Sequence, residues 1–139
     1  MTLVTTSRRS SQDSRAIARD FAFALGAQYL ARGKHGLREL GETDPSFFVV
    51  LQEDRSILLR WYQNGVPVLG REITKVENSR REGVMKRGIF TSDSELYQKL
   101  SRNHPVILEE QEKSNIWYDG PQRRHTVLTL KPVPVQTDI

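Results

Sequence analysis

The order of apolar and polar residues at the start of the chain predicts a strand followed by a helix. Leu3 to Thr6 is short and rich in β-formers. Ser10 or Ser11 then supplies a helix cap before a run from Gln12 to Leu25 that stops at Gly26. Within this run one apolar stripe at helical spacing comprises Ile17, Phe21, Ala24 and Leu25, with Arg15 and Arg19 on the opposite side. The helix is therefore expected to cover a sheet, and Phe23 falls off its stripe.

The next segment predicts further strands. Ala27 to Ala31 is predicted to form a short strand. Two glycines within residues 32–36 are expected to interrupt regular structure, and a short helix is predicted around residues 37–40. The apolar run Phe47 to Leu51 is typical of a central strand buried on both faces, the spine of a sheet. Ile57 to Gln63 and Val66 to Ile73 flank Asn64-Gly65, a pair that favours a tight hairpin. Pro67 puts the second arm near an edge.

The second half of the chain is predicted to form mostly antiparallel strands. Residues 74–88 are polar and charged and predict an exposed connection. A short strand leading into a helix at Glu95 to Arg102 then echoes the start of the chain. Strands at residues 106–109, 116–118 and 126–130 follow. The pattern predicts an α/β (α+β) fold with a mixed sheet, in a single domain over residues 1–139. This domain is expected to consist of two related halves, residues 1–75 and 88–132, joined by a basic connection at residues 76–87.

The amount and distribution of charge indicate which class of partner the chain binds. The 139 residues carry a net charge of +4 and a pI near 9.6. Residues 1–41 hold seven basic and three acidic side chains, whereas the remainder holds fourteen of each. Nucleic acid is therefore the leading partner class. A membrane partner is not expected, since no apolar run is long enough to span a bilayer.

Composition also excludes several kinds of chemistry. The chain has no cysteine, which excludes disulfides, thiolate catalysis and zinc fingers. The three histidines are scattered, so no metal is predicted, and neither a cofactor nor an enzymatic activity is expected. The amino terminus has no secretory pattern, and a cytoplasmic location is expected.

Two groups of basic residues are candidates for binding phosphate. The turn Thr5 to Ser11 places hydroxyls and guanidinium groups at a helix amino end, where free amides favour anions. The first group follows the first two strands and comprises Arg8, Arg9, Arg15, Arg32, Lys34 and Arg38. The second group lies in the predicted connection and comprises Arg80, Arg81, Lys86 and Arg87. The alternative for both groups is a solvated charged surface, with Ser10 and Ser11 serving only as caps.

Four aromatic residues offer a choice between base stacking and core packing. Trp61-Tyr62 and Trp117-Tyr118 both lie in predicted strands. Because side chains alternate along a strand, at least one member of each pair is expected in the core.

Three stretches together resemble the Brix domain family, in its short archaeal form. They are Leu3-Val4-Thr5-Thr6-Ser7-Arg8-Arg9 with Ser14-Arg15 and Asp20, then Arg32-Gly33-Lys34, and Gly65-Val66-Pro67-Val68-Leu69-Gly70. The resemblance runs from Leu3 to about Thr129. It implies two similar α/β halves, each like the anticodon-binding domain of class IIa aminoacyl-tRNA synthetases. It also implies a ribosome assembly factor that binds precursor ribosomal RNA, cytoplasmic in an archaeon and nucleolar if the source were eukaryotic.

The leading hypothesis is a non-catalytic ribosome biogenesis factor that binds ribosomal RNA or its precursor and assists its processing and subunit assembly. One alternative is a module that docks to other ribosome assembly proteins through a sheet edge or Phe23. The other is an anticodon-type tRNA binder.

Overall fold

A computed structural model describes residues 3–7, 10–31, 48–53, 56–64, 66–102 and 104–133. Nine strands and two helices lie in these ranges. In chain order they are β1 Leu3–Thr6, α1 Gln12–Leu25, β2 Gln28–Tyr29, β3 Phe48–Glu53, β4 Ile57–Gln63, β5 Val66–Arg80, β6 Ile89–Thr91, α2 Ser94–Leu100, β7 Val106–Leu108, β8 Asn115–Asp119 and β9 Arg124–Pro132.

All nine strands join one mixed sheet in the order β2-β1-β3-β4-β5-β9-β8-β6-β7. β1 runs parallel to both β2 and β3, and β6 runs parallel to β7. Every other pairing is antiparallel. The predicted mixed sheet is confirmed, and the second half is antiparallel except for β7.

Helix α1 begins and ends where the sequence predicts. The Ser11 hydroxyl accepts the Ser14 amide, and Gly26 takes a left-handed conformation with φ of 72° that lets its amide close the last turn. The predicted stripe is buried: Ile17, Phe21, Ala24 and Leu25 all belong to the core. Phe23, which falls off this stripe, is 47% exposed.

Helix α1 contacts strands on both sides of the β5–β9 pair. The Phe21 ring meets Trp61 of β4 at 6.5 Å and Tyr118 of β8 at 5.7 Å, both edge to face. The Gly88 amide donates to the Ala24 carbonyl at 3.1 Å. Since β4 and β8 lie on opposite sides of the β5–β9 pair, the sheet curls around α1 and the helix fills the space inside.

The predicted echo between the two halves has a structural counterpart. β1, α1 and β2 form a parallel β-α-β unit at one edge of the sheet, and β6, α2 and β7 form another at the opposite edge. In each unit the second strand forms the edge of the sheet, and the first strand is its inner neighbour. The division into halves 1–75 and 88–132 remains a prediction.

The predicted connection at 76–87 differs from the structure in its first part. Residues 76–80 continue β5, a strand of fifteen residues, and pair with Val127, Leu128 and their neighbours in β9. The polar side chains of this part are exposed as expected, but its backbone hydrogen bonds go to β9. Only residues 81–88 connect β5 to β6 without regular structure.

The apolar run at residues 47–51 was expected to be the spine of the sheet. The observed strand, β3, is interior and pairs with β1 and β4, but the middle of the sheet order is β5. Pro67 lies at the start of β5, where, among the described residues, that strand pairs with β4 and not with β9. The predicted helix at 37–40 lies outside the described residues.

Candidate nucleic-acid interface

The structure locates half of the predicted basic residues. Arg15, Arg80, Arg81, Lys86 and Arg87 are described. The other five, Arg8, Arg9, Arg32, Lys34 and Arg38, lie outside the described residues. The first group is therefore represented by Arg15 alone.

Arg15 folds back onto the turn that precedes α1. Its Nη1 donates to the Ser10 carbonyl at 2.7 Å, and the side chain remains exposed. The Thr6 and Ser10 hydroxyls share a buried hydrogen bond of 3.0 Å, and Thr5 donates to the Leu30 carbonyl. The Thr6–Ser10 bond joins the end of β1 to the residue before the helix cap, and the Thr5 bond joins β1 to the segment that follows β2.

The second group borders a cleft beside β8, which we name the β8 cleft. It has a volume of about 400 Å³ and lies among the end of β5, the following connection and strands β6, β8 and β9. Its lining includes Arg80, Arg81 and Lys86 from the predicted group, together with Ser79, Glu82, Val84, Phe90, Glu109, Trp117, Tyr118, Asp119 and His125. The structure thus brings three of the four predicted cations to one place.

Arg81 is anchored by its surroundings. Its amide donates to the Arg123 carbonyl at 2.7 Å, and its Nη1 donates to the Gly120 carbonyl at 3.2 Å. Its Nε is buried without a hydrogen-bond partner in the described part of the chain. Arg80, in contrast, is exposed.

Asp119 lies in the lining of the cleft and contacts two of the elements that border it. Its Oδ2 accepts the Lys86 amide at 2.9 Å, and its Oδ1 lies 2.8 Å from the His125 Nδ1. Burial acts to raise the pKa of Asp119, but the Lys86 amide, the bond and charge of His125 and the charge of Arg81 together lower the pKa below its usual value. The carboxylate is therefore ionised at neutral pH and ties the connection to β9.

An aromatic pair forms part of the wall. Trp117 of β8 stacks on Phe90 of β6, with ring centroids 6.1 Å apart and planes 16° apart. The Lys86 Nζ lies 6.0 Å from the Phe90 centroid. Tyr118 is fully buried and meets Phe21 of α1, so its neighbour Trp117 faces the other side of the sheet and is half-buried.

The four aromatic residues match the prediction that each pair contributes to the core. Trp61 and Tyr62 are both buried, and Tyr118 is buried beside half-buried Trp117. The sequence did not single out Trp117 as the member that keeps part of its surface accessible. Alternation along β8 with apolar Ile116 on the inner side is the signal that distinguishes it.

The charges in the cleft are balanced. Its lining contains the three cations named above and the carboxylates Glu82, Glu109 and Asp119. Attraction of a polyanion by net charge alone is therefore weak at this place.

Arg15 of the first group and Lys86 and Arg87 of the second group lie toward opposite ends of α1. Arg15 is fixed at the amino end, whereas Lys86 and Arg87 precede Gly88, whose amide bonds the last turn. Fourteen helical residues span about 20 Å. A single patch made of Arg15 and Arg87 is thus excluded, and a ligand in contact with both would have to extend along the helix.

Arg87 lines a different hollow, which we name the Phe23 cavity. It has a volume of about 340 Å³, and its lining includes Phe23, Leu25, Met85, Lys86, Arg87 and Pro105. The exposed Phe23 therefore borders a largely apolar hollow with two cations at its rim.

The amino end of α2 is closed by a cation from β5. Asp93 caps the helix by accepting the Leu96 amide, and the buried Arg71 donates to Asp93 at 2.7 Å and to Glu95 at 2.7 Å. α2 occupies the same position in its β-α-β unit as α1 does in the other unit. The amino end of α2, however, holds an ion pair. The two ends are therefore not equivalent as anion sites.

Two further observations concern other kinds of site. In the described ranges, no three His, Asp or Glu side chains come together as a metal site would require. No helix in those ranges is both long and apolar enough to cross a bilayer.

The fold is a mixed α+β fold of the kind found in Imp4-like Brix proteins, and the predicted fold class is confirmed. A similar solved structure is the crystal structure of Mil, an archaeal Imp4-like protein. The likeness has a TM-score of 0.66 and covers 98% of this chain and 100% of that chain, at 16% identity. No family model matches the chain, and no curated protein matches it in sequence.

Proposed function

We propose that this protein is a Brix-type ribosome biogenesis factor that binds ribosomal RNA or its precursor and assists processing and subunit assembly without catalysing a reaction. The observation that carries the proposal is the whole-chain likeness to an archaeal Imp4-like protein. The concentration of the net charge of +4 in residues 1–41 supports a polyanionic partner. A cytoplasmic location belongs to the same proposal.

The proposed contacts are phosphate contacts. In this proposal the first group holds the RNA backbone through its guanidinium and ammonium groups, together with the free amides at the amino end of α1. The second group contributes at the β8 cleft through Arg80 and Lys86. Arg81 also stabilises the fold through its two carbonyl partners, so it is a poor residue for testing binding.

The test is a salt-dependent titration of a structured ribosomal RNA fragment. Between about 50 and 200 mM salt the affinity should fall steeply, because each phosphate contact releases counterions. The double variant Arg8→Glu with Arg9→Glu should bind more weakly than wild type and show a shallower salt dependence. Arg102→Glu with Lys113→Glu, which reverses two exposed charges outside both hollows, is the matched control.

Affinity independent of salt would contradict the phosphate mechanism. Equal losses for the double variant and the control would mean that the first group is not the site. Competition with tRNA decides the related alternative, since an anticodon-type binder would prefer tRNA to the ribosomal fragment.

The second candidate function is docking to another ribosome assembly protein. The observation that favours it is Phe23, 47% exposed beside the Phe23 cavity. In that case the cations at the rim would steer the encounter. Absence of any RNA shift by the purified protein, at low salt and without other proteins, would favour docking over RNA binding.

A further inference from the structure

We infer that the β8 cleft binds one unpaired nucleotide of a single-stranded RNA segment, with its base against Trp117 and its phosphate toward Arg80 and Lys86. The inference rests on the proposed function and specifies the form of RNA that one part of the surface accepts.

The position of Trp117 is the first argument. The other tryptophan, Trp61, is fully buried in the core. Trp117 lies on the opposite side of its strand from Tyr118 and retains part of its surface. Its ring already stacks on Phe90 with nearly parallel planes. A base placed on the accessible part of the indole would extend this stack, as bases do on aromatic residues in proteins that bind single strands.

The second argument is the balance of charge in the cleft. Three carboxylates offset three cations, so phosphate attraction alone gives little affinity here. A ligand with a planar ring gains stacking free energy that a bare polyanion does not. The volume of about 400 Å³ lies within the range of small-ligand sites. The cleft therefore favours a nucleotide over a phosphate chain without bases.

The third argument is the arrangement of the donors around the ring pair. The Lys86 Nζ lies over Phe90, on the same wall as Trp117, and Arg80 is exposed at the margin. Asp119 is held by the Lys86 amide and His125, which keeps its carboxylate directed toward those partners. A phosphate attached to a base on Trp117 therefore meets cations at the margin of the cleft and not the Asp119 oxygens.

A single strand is the occupant that fits these features. In a duplex the bases stack on each other and their faces are unavailable to a protein ring. An acidic peptide would meet the same cations but would offer no base to the indole.

The test compares two probes with the full chain: an oligouridylate of about ten nucleotides and an abasic ribose-phosphate oligomer of the same length and charge. Wild type should bind the oligouridylate about tenfold more tightly. Trp117→Leu should lose this preference, and Trp117→Phe should retain part of it. In a Trp61→Phe background, Trp117 is the sole tryptophan, and its fluorescence should change on binding.

Far-UV circular dichroism of each variant establishes folding. If Trp117→Leu does not fold, the inference is tested by two other measurements. These are the affinities of wild type for the two probes and the fluorescence change of the Trp61→Phe variant on binding. Equal wild-type affinity for the two probes, no fluorescence change, or an unaltered preference in folded Trp117→Leu would overturn the inference. So would equal binding of a polyglutamate peptide of matched charge.

The failure of this inference can be distinguished from that of the proposed function. Salt-dependent binding of structured ribosomal RNA, with no difference between the two oligomers, would overturn the nucleotide site and leave the proposed function intact. Absence of binding to every RNA would overturn both.

Discussion

Arg71 shows how a single buried cation shapes this fold. It is 5% exposed and donates to Asp93 and Glu95, which begin α2. Burial acts to lower the pKa of Arg71, but hydrogen bonds and charges of the two carboxylates raise the pKa above its usual value. The guanidinium therefore stays charged and joins β5 to α2.

Replacing Arg71 with methionine should lower the free energy of unfolding by about 3 kcal/mol, because Asp93 would be left buried without its cation. Denaturant unfolding at neutral pH measures this loss. Lys75→Met is the matched control, since Lys75 forms an exposed pair with Glu77 and the loss of such a pair should have little effect. Equal effects of the two substitutions would contradict a structural role for the Arg71 pair.

Acid should weaken the fold partly through Asp93. Burial acts to raise the pKa of this carboxyl, but Arg71, the Leu96 amide and Ser114 lower it below the ordinary value of 3.8. Because the unfolded chain takes up this proton at a higher pH, the stabilisation is complete above about pH 4 and is lost as pH falls through the folded pKa.

The free energy of unfolding of Asp93→Asn should therefore fall less between about pH 5 and pH 2 than that of wild type. Parallel curves for Asp93→Asn and wild type would contradict the contribution of the carboxylate.

At the scale of elements, α1 and the first part of β5, Val66 to Ile73, were predictable, whereas the second part of β5 was not. The bounds and buried stripe of α1 follow from a cap, a helical period and a stop glycine, all local signals. Residues 74–80 have no alternation of apolar and polar side chains, and their assignment to β5 depends on β9, about fifty residues later. Local pattern carries no information on such a partner.

The role of α1 inside the curled sheet can be tested with two phenylalanines of the same helix. Phe21→Ala should lower the free energy of unfolding by about 3–5 kcal/mol, because Phe21 is 2% exposed and meets Trp61 and Tyr118. Phe23→Ala should cost less than about 1 kcal/mol, since that ring is half exposed. Similar losses for the two variants in denaturant titrations would contradict the assigned faces of α1.

At the scale of the whole molecule, the sheet is continuous across its middle. The β5–β9 pairing joins the strands of residues 3–63 to those of residues 89–119. Asp20 of α1 adds a second link through two 2.8 Å bonds to Arg124 of β9. The molecule should therefore unfold as one unit.

Its two tryptophans allow this to be measured, because Trp61 lies in β4 and Trp117 in β8. In the single-tryptophan variants Trp61→Phe and Trp117→Phe, the fluorescence transition in denaturant should coincide with the far-UV circular dichroism transition of the same variant. A fluorescence midpoint that differs from the dichroism midpoint in either variant would show that the two ends of the sheet unfold separately.

The candidate site was predictable only in part at this scale. Composition along the chain indicated the basic surface, and Arg80, Arg81 and Lys86 do meet in one cleft. The carboxylates that share the cleft and the Trp117 ring come from other strands, so only the fold reveals them. The separation of Arg15 from Arg87 by the length of α1 likewise required the packing of Gly88 on Ala24.

The late position of β9 in the chain has a consequence for synthesis on the ribosome. When residues up to about 120 have emerged, residues 71–80 of β5 lack their neighbour β9, and β8 lacks the same neighbour. Both strands then present free backbone groups to other nascent chains, which invites misassociation. Translation of residues 124–132 closes these two edges in one step, so a pause before that point should increase aggregation of the newborn polypeptide.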